Sequence, residues 1–101
     1  MLNLIFRFKE KSFVIKESNN EMVLVPLTNQ IVDMTNVMLL TETAAVVLKS
    51  LNGNKSLKDI CGEMVNDYNI DIDVLEKDVV QFIEKAIEKN IVEEVFFNNI
   101  S

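Results

Sequence analysis

Apolar residues alternate with other residues over positions 2–8, which predicts a strand. Two further apolar runs occupy residues 13–16 and 22–25. The segment between them, Ser18–Glu21, is rich in Ser and Asn, whose side chains favour turns because they bond to their own backbone. These two runs therefore predict a β-hairpin. Pro26 is expected to end the hairpin because it lacks a backbone N–H donor.

A last strand is expected at about residues 36–40, with a start as early as residue 31. A helix then begins after Thr41, whose hydroxyl can accept a hydrogen bond from a free N–H group of the first turn. Apolar residues recur at helical spacing as far as Leu51. We expect Gly53 to end this helix in a left-handed conformation, which glycine adopts without steric cost.

Two more helices follow, each with apolar residues three or four positions apart. Ser56 is the predicted N-cap of the second helix. Gly62 lies inside that helix at a cost of about 1 kcal/mol relative to Ala, which suggests a close approach of another helix. Asp73 and Glu76 are the predicted capping pair of the third helix, and Asn90 is its expected C-terminal stop.

This order of elements predicts an α+β, winged helix-turn-helix fold. It consists of a three-stranded antiparallel sheet followed by three helices, with an extra N-terminal strand. We divide the chain into a strand extension at 1–11, a winged-helix domain at 12–95 and a C-terminal tail at 96–101. The apolar N-terminus is too short for a signal sequence, and no run approaches the roughly 18 apolar residues of a membrane span, so the expected location is the cytoplasm.

The net charge is −6, and it is unevenly distributed. Residues 1–20 contain four basic and two acidic side chains, which gives +2 and leaves −8 for the remainder. Nucleic-acid binding depends heavily on Lys and Arg at phosphates, so an acidic helical half disfavours a nucleic-acid partner. This charge either attracts a basic or amphipathic peptide or simply keeps the protein in solution.

The sequence contains few residues of the types that usually catalyse reactions. It has no histidine and a single cysteine, Cys61, which lies on an apolar helix face and is interpreted as core. The two glycines are isolated, so there is no phosphate-binding loop. Asp71, Asp73, Glu76 and Asp78 cluster at a helix start, where capping and solvation explain them better than calcium binding does. We therefore expect no enzymatic activity, cofactor or metal.

Several short segments resemble proteins of the PqqD-like family when taken in order. The run Leu40–Ala45 reads L-T-E-T-A-A and resembles the family's L-N-E-T-A-A segment. The matching positions further along are Leu51-Asn52-Gly53, Leu57, Ile60, Tyr68, Asp78-Val79 and Phe82-Ile83, with Val23-Leu24-Val25-Pro26 upstream. The resemblance covers about residues 12–93. Thr41 replaces the usual Asn, and Asn90 stands where Gly is common.

The resemblance implies a recognition element for ribosomally made, post-translationally modified peptides. Such a domain binds the leader segment of a precursor peptide and presents the rest to a modifying enzyme, often a radical SAM protein. The leader is added as a further strand beside the last strand of the sheet, against the third helix. A sheet edge suits this role because its free N–H and C=O groups can pair with a peptide.

Candidate contacts follow from this resemblance and from the helix pattern. The resemblance implies the last strand together with Asp78, Val79, Phe82 and Ile83 of the third helix. The apolar periodicity favours core positions for Val79 and Phe82, whereas Lys77 and Val80 lie off the main stripe and are better candidates for a groove. The predicted peptide-binding residues are Val37, Met38, Leu39, Leu40, Lys77, Asp78, Val80 and Ile83.

Two other functions remain open. A winged helix could be a DNA-binding regulator, although the second helix offers Lys58 against Asp59, Glu63 and Asp67. The chain could also be a homodimeric interaction module, in which the apolar N-terminal strand or Phe96-Phe97 is exchanged between subunits.

Overall fold

The computed structural model describes residues 1–29, 31–32 and 36–96. The strands in this part of the chain are β1 (Ile5–Phe8), β2 (Phe13–Ser18), β3 (Glu21–Thr28), β4 (Ile31–Val32), β5 (Met38–Leu40), β6 (Asn52–Ser56) and β7 (Val92–Glu94). The helices are α1 (Glu42–Ser50), α2 (Leu57–Asp67) and α3 (Ile72–Glu88). The predicted α+β fold, with a three-stranded antiparallel sheet, three helices and an extra N-terminal strand, is confirmed.

The first sheet is built on the predicted hairpin. β2 and β3 pair antiparallel, with Ser18 opposite Glu21 and Phe13 opposite Pro26. The two loop residues between them, Asn19 and Asn20, both have positive φ angles, 51° and 67°. Such a loop matches the right-handed twist of the paired strands. β5 pairs antiparallel with the other side of β3.

Pro26 does not end β3, contrary to the sequence prediction, because the strand continues to Thr28. The backbone N–H of Leu27 points toward β2, where it donates to the Ser12 carbonyl at 2.9 Å. Successive residues of a strand point their N–H groups to opposite sides, so the Pro26 nitrogen points away from β2. The strands β4 and β5 on that side have no residue paired with Pro26, and the missing donor costs no ladder bond.

The predicted last strand is shorter than expected. β5 covers Met38–Leu40, whereas Ile31–Val32 forms the separate strand β4 against Leu27 and Thr28. The predicted extension of a single strand back to residue 31 is therefore replaced by two short strands along β3. The intervening residues 33–35 lie outside the described part of the chain.

Two of the three predicted helix caps are confirmed. The Thr41 hydroxyl accepts from the Ala44 N–H at 3.0 Å, and the Ser56 hydroxyl accepts from the Asp59 N–H at 3.1 Å. The third cap was predicted two residues too late. α3 begins at Ile72, and its N-cap is Asp71, whose carboxylate accepts from the Asp73 N–H at 2.8 Å.

The end of α3 is formed as the sequence indicated. Asn90 has a φ of 63°, which is the left-handed conformation that Asn tolerates. Its N–H donates to the Ile87 carbonyl at 3.0 Å, and the Ile91 N–H donates to the Ala86 carbonyl at 2.8 Å. These two bonds satisfy carbonyls at the helix end and turn the chain into β7.

A second antiparallel sheet was not predicted. It has the order β6-β1-β7, so the N-terminal strand lies between two short strands that come later in the chain. β1 begins at Ile5 instead of residue 2. The carbonyls of Leu2 and Leu4 instead accept from the Lys58 and Leu57 N–H groups at 2.9 and 3.1 Å, which would otherwise be free at the start of α2.

Gly53 has the positive φ that was expected, 85°, but it does not end α1. It lies in β6, where the register against β1 shifts between Ile5 and Arg7. Ile5 and Arg7 are two positions apart on β1, whereas their partners on β6, Ser56 and Asn52, are four positions apart. The extra residues make β6 bulge at this point.

The helices and both sheets share one hydrophobic core. Its fully buried side chains include Phe6 from β1, Leu24 from β3 and Leu48 from α1. Cys61 is also buried, as predicted. Gly62 is exposed, and a Cβ placed there would have no atom within 4 Å. The predicted close helix approach at Gly62 is therefore wrong.

Candidate functional site

One edge of β5 is open in the described part of the chain. β5 pairs with β3 along its other edge, through Met22–Leu24. The N-terminal strand does not fill the open edge because it is held in the second sheet by β6 and β7. An open strand edge presents backbone N–H and C=O groups that another strand can pair with.

One face of α3 lies across from this edge. Asp78, Gln81, Phe82 and Lys85 are spaced i, i+3, i+4 and i+7, so they form a single row along the helix. All four line the same groove as Met38, Leu39 and Leu40. The helical repeat therefore presents one side of α3 to the open edge of β5.

The groove has a volume of about 480 Å³ and an apolar floor. Ala44 and Val47 of α1 and Val79 of α3 are buried beneath it. Phe82 is partly buried and Leu39 is 67% exposed, so both present apolar surface toward solvent. An extended peptide can pair its backbone with β5 and place alternate side chains on this floor.

Two opposite charges line the groove. Asp78 and Lys85 are both exposed, and neither forms an ion pair with another residue of the described chain. They are seven residues apart, which is about 10.5 Å along an α-helix. Their charges are therefore available to a bound molecule.

A second cleft continues from the first at the N-terminal end of β5. It has a volume of about 520 Å³, and Val37 and Met38 line it together with Lys89 and Ile91, which follow α3. The start of β5 therefore lies near the end of α3, and the two elements run in opposite directions. The Leu40 end of β5 lies toward the Asp78 end of the groove.

The predicted site residues separate into distinct groups. Met38, Leu39, Leu40 and Asp78 line the groove together, and Val37 lines the adjoining cleft. The other three predicted residues are not on this surface. Lys77 and Val80 do not line the groove because they lie on other sides of α3, and Ile83 is 0% exposed within the core.

Phe82, Gln81 and Lys85 line the groove but were not among the predicted site residues, although the family resemblance had implied Phe82. The apolar stripe had placed Phe82 in the core, whereas its side chain lies at the boundary between core and groove. A row drawn at helical spacing from Asp78, which had been predicted, passes through all three. That row is the signal in the sequence that could have found them.

Other surfaces offer less for binding or chemistry. A cleft of about 550 Å³ lies between α1 and β2, which is the other edge strand of the first sheet in the described residues, and three charged side chains, Arg7, Glu10 and Lys49, line it. Burial, with a smaller contribution from the Glu76 carboxylate, raises the pKa of the Cys61 thiol from 9.0 to about 11, so that thiol is a poor nucleophile. Across residues 1–29, 31–32 and 36–96, no helix is long and apolar enough to cross a bilayer.

Comparison with known protein families identifies the fold. The model of the family described as coenzyme PQQ synthesis protein D (PqqD) matches residues 21–92, which is most of the chain. The chain belongs to the PqqD family. The match runs from the first residue of β3 to the first residue of β7 and so contains both sides of the groove. The resemblance noted in the sequence is thereby confirmed.

A solved structure supports the same fold for this PqqD-family chain. The structure of TbiB1 in complex with the TbiA(beta) leader peptide is similar, with a TM-score of 0.65 and 18% sequence identity. The alignment covers 86% of this chain and 94% of the TbiB1 chain. No curated protein matches the chain.

Proposed function

We propose that this protein binds the leader segment of a ribosomally synthesised precursor peptide and presents the precursor to a modifying enzyme. The leader is added to the first sheet as a strand beside β5, in the groove against α3. The observation that carries the proposal is the open edge of β5 opposite the row Asp78, Gln81, Phe82 and Lys85.

Strand addition suits the chemistry of the groove. Backbone hydrogen bonds to β5 give affinity that depends little on sequence, and side-chain contacts with α3 select among peptides. Phe82 and Leu39 supply apolar area at the surface. Membership of the PqqD family and the fold shared with a chain solved with a leader peptide support this occupant over other extended peptides.

The proposed role is non-catalytic. The groove contains carboxylate, amide and ammonium groups from Asp78, Gln81 and Lys85, but its lining includes no histidine or cysteine. Chemistry on the precursor is therefore assigned to a separate modifying enzyme. The family resemblance favours a radical SAM protein for that role.

The direct test uses the precursor encoded beside the gene for this protein. Titration of the full-length protein should show micromolar or tighter binding. Amide hydrogen exchange should slow at Met38–Leu40 in the complex, because a paired edge protects its N–H groups. Unchanged exchange at β5 in a tight complex would contradict strand addition, and no binding by any neighbouring precursor would contradict the function.

Three variants locate the contact. Phe82→Ala removes apolar area in the groove, whereas Val80→Ala is a smaller truncation of an apolar residue outside it, so affinity should fall only for Phe82→Ala. Because Phe82 is partly buried, Leu39→Ser provides a second test at an exposed residue. Equal losses for Phe82→Ala and Val80→Ala, with folding unchanged, would place the peptide elsewhere.

The alternative of a DNA-binding regulator gains no support from the helix surfaces. The exposed charged residues of α2 are Lys58, Asp59, Glu63 and Asp67, a balance of −2. Lys55 of β6 lies beside this helix, but its ammonium is paired with the Glu63 carboxylate at 2.8 Å. Phosphates would be repelled from this helix. The homodimer remains a prediction, and Phe97 lies outside the described residues.

A further inference from the structure

The two ends of the groove differ in charge. Glu17, Glu21 and Glu42 line a cleft together with Leu39 and Leu40, at the C-terminal end of β5. Asp78 lies toward this same end because β5 and α3 run in opposite directions. The C-terminal end of β5 therefore has carboxylates on both sides, from Glu17 and Glu21 on the side paired with β3 and from Asp78 across the open edge.

The other end of the edge is basic. Lys85 lies in the groove toward the start of β5, and Lys89 lines the adjoining cleft with Val37 and Met38. The Lys9 ammonium also lies near this end, where it donates to the side chain of Asn90. The open edge of β5 therefore runs from a basic end at Val37 to an acidic end at Leu40.

We infer that the groove selects a leader segment carrying a basic residue two or four positions before an acidic residue, bound antiparallel to β5. This inference rests on the proposed function and specifies the peptide. Antiparallel pairing is favoured because the existing sheet is antiparallel and such pairs are slightly more stable. A peptide in that direction runs parallel to α3, so its earlier residues meet Asp78 and its later residues meet Lys85.

The spacing follows from the two geometries. Asp78 and Lys85 are separated by about 10.5 Å along the helix, and a strand advances about 3.3 Å per residue. The matching peptide positions are about three residues apart. Because side chains on one face of a strand are two residues apart, the charged pair occupies positions separated by two or four.

The binding direction also fixes where the precursor leaves the groove. The C-terminal end of the bound segment lies by Val37, Lys89 and Ile91. The part of the precursor that follows the leader therefore emerges at the basic end of the edge. The modifying enzyme must approach this end of the molecule.

The experiment is a selection from a phage-displayed library of random peptides of about 12 residues, enough to cross the groove at about 3.3 Å per residue. The targets are the full-length protein, the charge-swapped variant Asp78→Lys/Lys85→Glu, and the control Lys77→Glu/Glu84→Lys. The control keeps the same helix, the same seven-residue spacing and the same net charge, but neither residue lines the groove. Slowed exchange at Met38–Leu40 identifies the peptides that bind by strand addition.

We expect groove-binding peptides from the wild type and the control to place the basic residue first. The charge-swapped variant should select the reverse order, and it should bind the wild-type peptides about five- to tenfold more weakly at low salt. Added salt should reduce that difference. Groove-binding peptides with no charge preference, or with the acidic residue first, would overturn the inference and leave the proposed function intact. Peptides that bind without protecting β5 would contradict both.

Discussion

At the scale of single residues, Cys61 gives the clearest pH dependence. Its side chain is 0% exposed, and its pKa is raised from 9.0 to about 11 because the thiolate would be desolvated and close to the Glu76 carboxylate. Below pH 9 the thiol is protonated in both the folded and unfolded states. Between pH 9 and 11 the unfolded chain loses the proton first, so the free energy of unfolding should fall as pH rises through this window.

A two-unit difference in pKa is worth about 3 kcal/mol in full, of which about 2 kcal/mol is lost between pH 9 and pH 11. Urea unfolding of wild type and Cys61→Ala at several pH values measures it, because the alanine variant lacks this titration. The difference in stability between the two proteins should shrink from pH 9 to pH 11. Parallel pH profiles would show that the thiol does not titrate differently on folding.

The two glycines should respond oppositely to replacement by alanine. Gly62→Ala should stabilise the protein by about 0.5–1 kcal/mol, since the residue is exposed in α2 and the added Cβ meets no atom within 4 Å. Gly53→Ala should destabilise it by at least about 1 kcal/mol because φ is 85° at that position. Urea unfolding measures both, and a loss of stability in Gly62→Ala would contradict the open environment of that residue.

At the scale of elements, mutations at the N-terminus of α3 test whether the helix is capped by Asp71, as in the structure, or by Asp73, as the sequence predicted. Asp71→Ala should cost about 1 kcal/mol because it removes the acceptor for the Asp73 N–H. Asp73→Ala should cost only a few tenths, since this side chain contributes only a first-turn charge near the helix dipole. Thermal unfolding of the two variants measures the difference. Equal losses would mean that the cap bond contributes nothing.

The elements with strong apolar periodicity were predictable, whereas those made by pairing at a distance were not. α3 was recognised from its stripe, and its N-cap, Asp71, was missed by two residues. β6 has the sequence N-G-N-K-S, which contains no apolar residue and so indicated only the end of one helix at Gly53 and the cap of the next at Ser56. It is a strand because β1 lies beside it, and that partner is about fifty residues away in the sequence. Local pattern contains no information about such pairing.

The residues of the candidate site also fall into those that the sequence predicted and those that it did not. β5 and Asp78 were found through family resemblance, and both line the groove. Phe82 was assigned to the core because periodicity identifies an apolar face but not where that face meets the surface. Lys77 and Val80 were preferred because they lie off the stripe, yet the other flank of α3 faces β5 across the groove. Which flank of a helix borders an open strand depends on tertiary packing and is not encoded in the spacing alone.

At the scale of the whole molecule, the N-terminal strand β1 joins two later segments of the chain, β6 and β7, into one sheet. β1 pairs with β6 and with β7, and Arg7 forms a 3.0 Å ion pair with Glu93 of β7. That ion pair is exposed and contributes little. Phe6, at 1% exposure, stabilises the strand more than the ion pair does, because a buried aromatic side chain removes a large apolar area from water. The strand holds α2 and the end of α3 in one core and leaves the edge of β5 open.

Phe6→Ala should therefore destabilise the whole molecule by roughly 3–5 kcal/mol. Phe96→Ala is the matched control, since Phe96 follows β7 in the second sheet but is 79% exposed, and its loss should change stability by less than about 0.5 kcal/mol. Urea unfolding followed by circular dichroism measures both. If β1 were only an appended strand, Phe6→Ala would leave the helical transition unchanged. A single cooperative transition shifted to lower urea would show that the strand and the helices that form the peptide groove unfold as one unit.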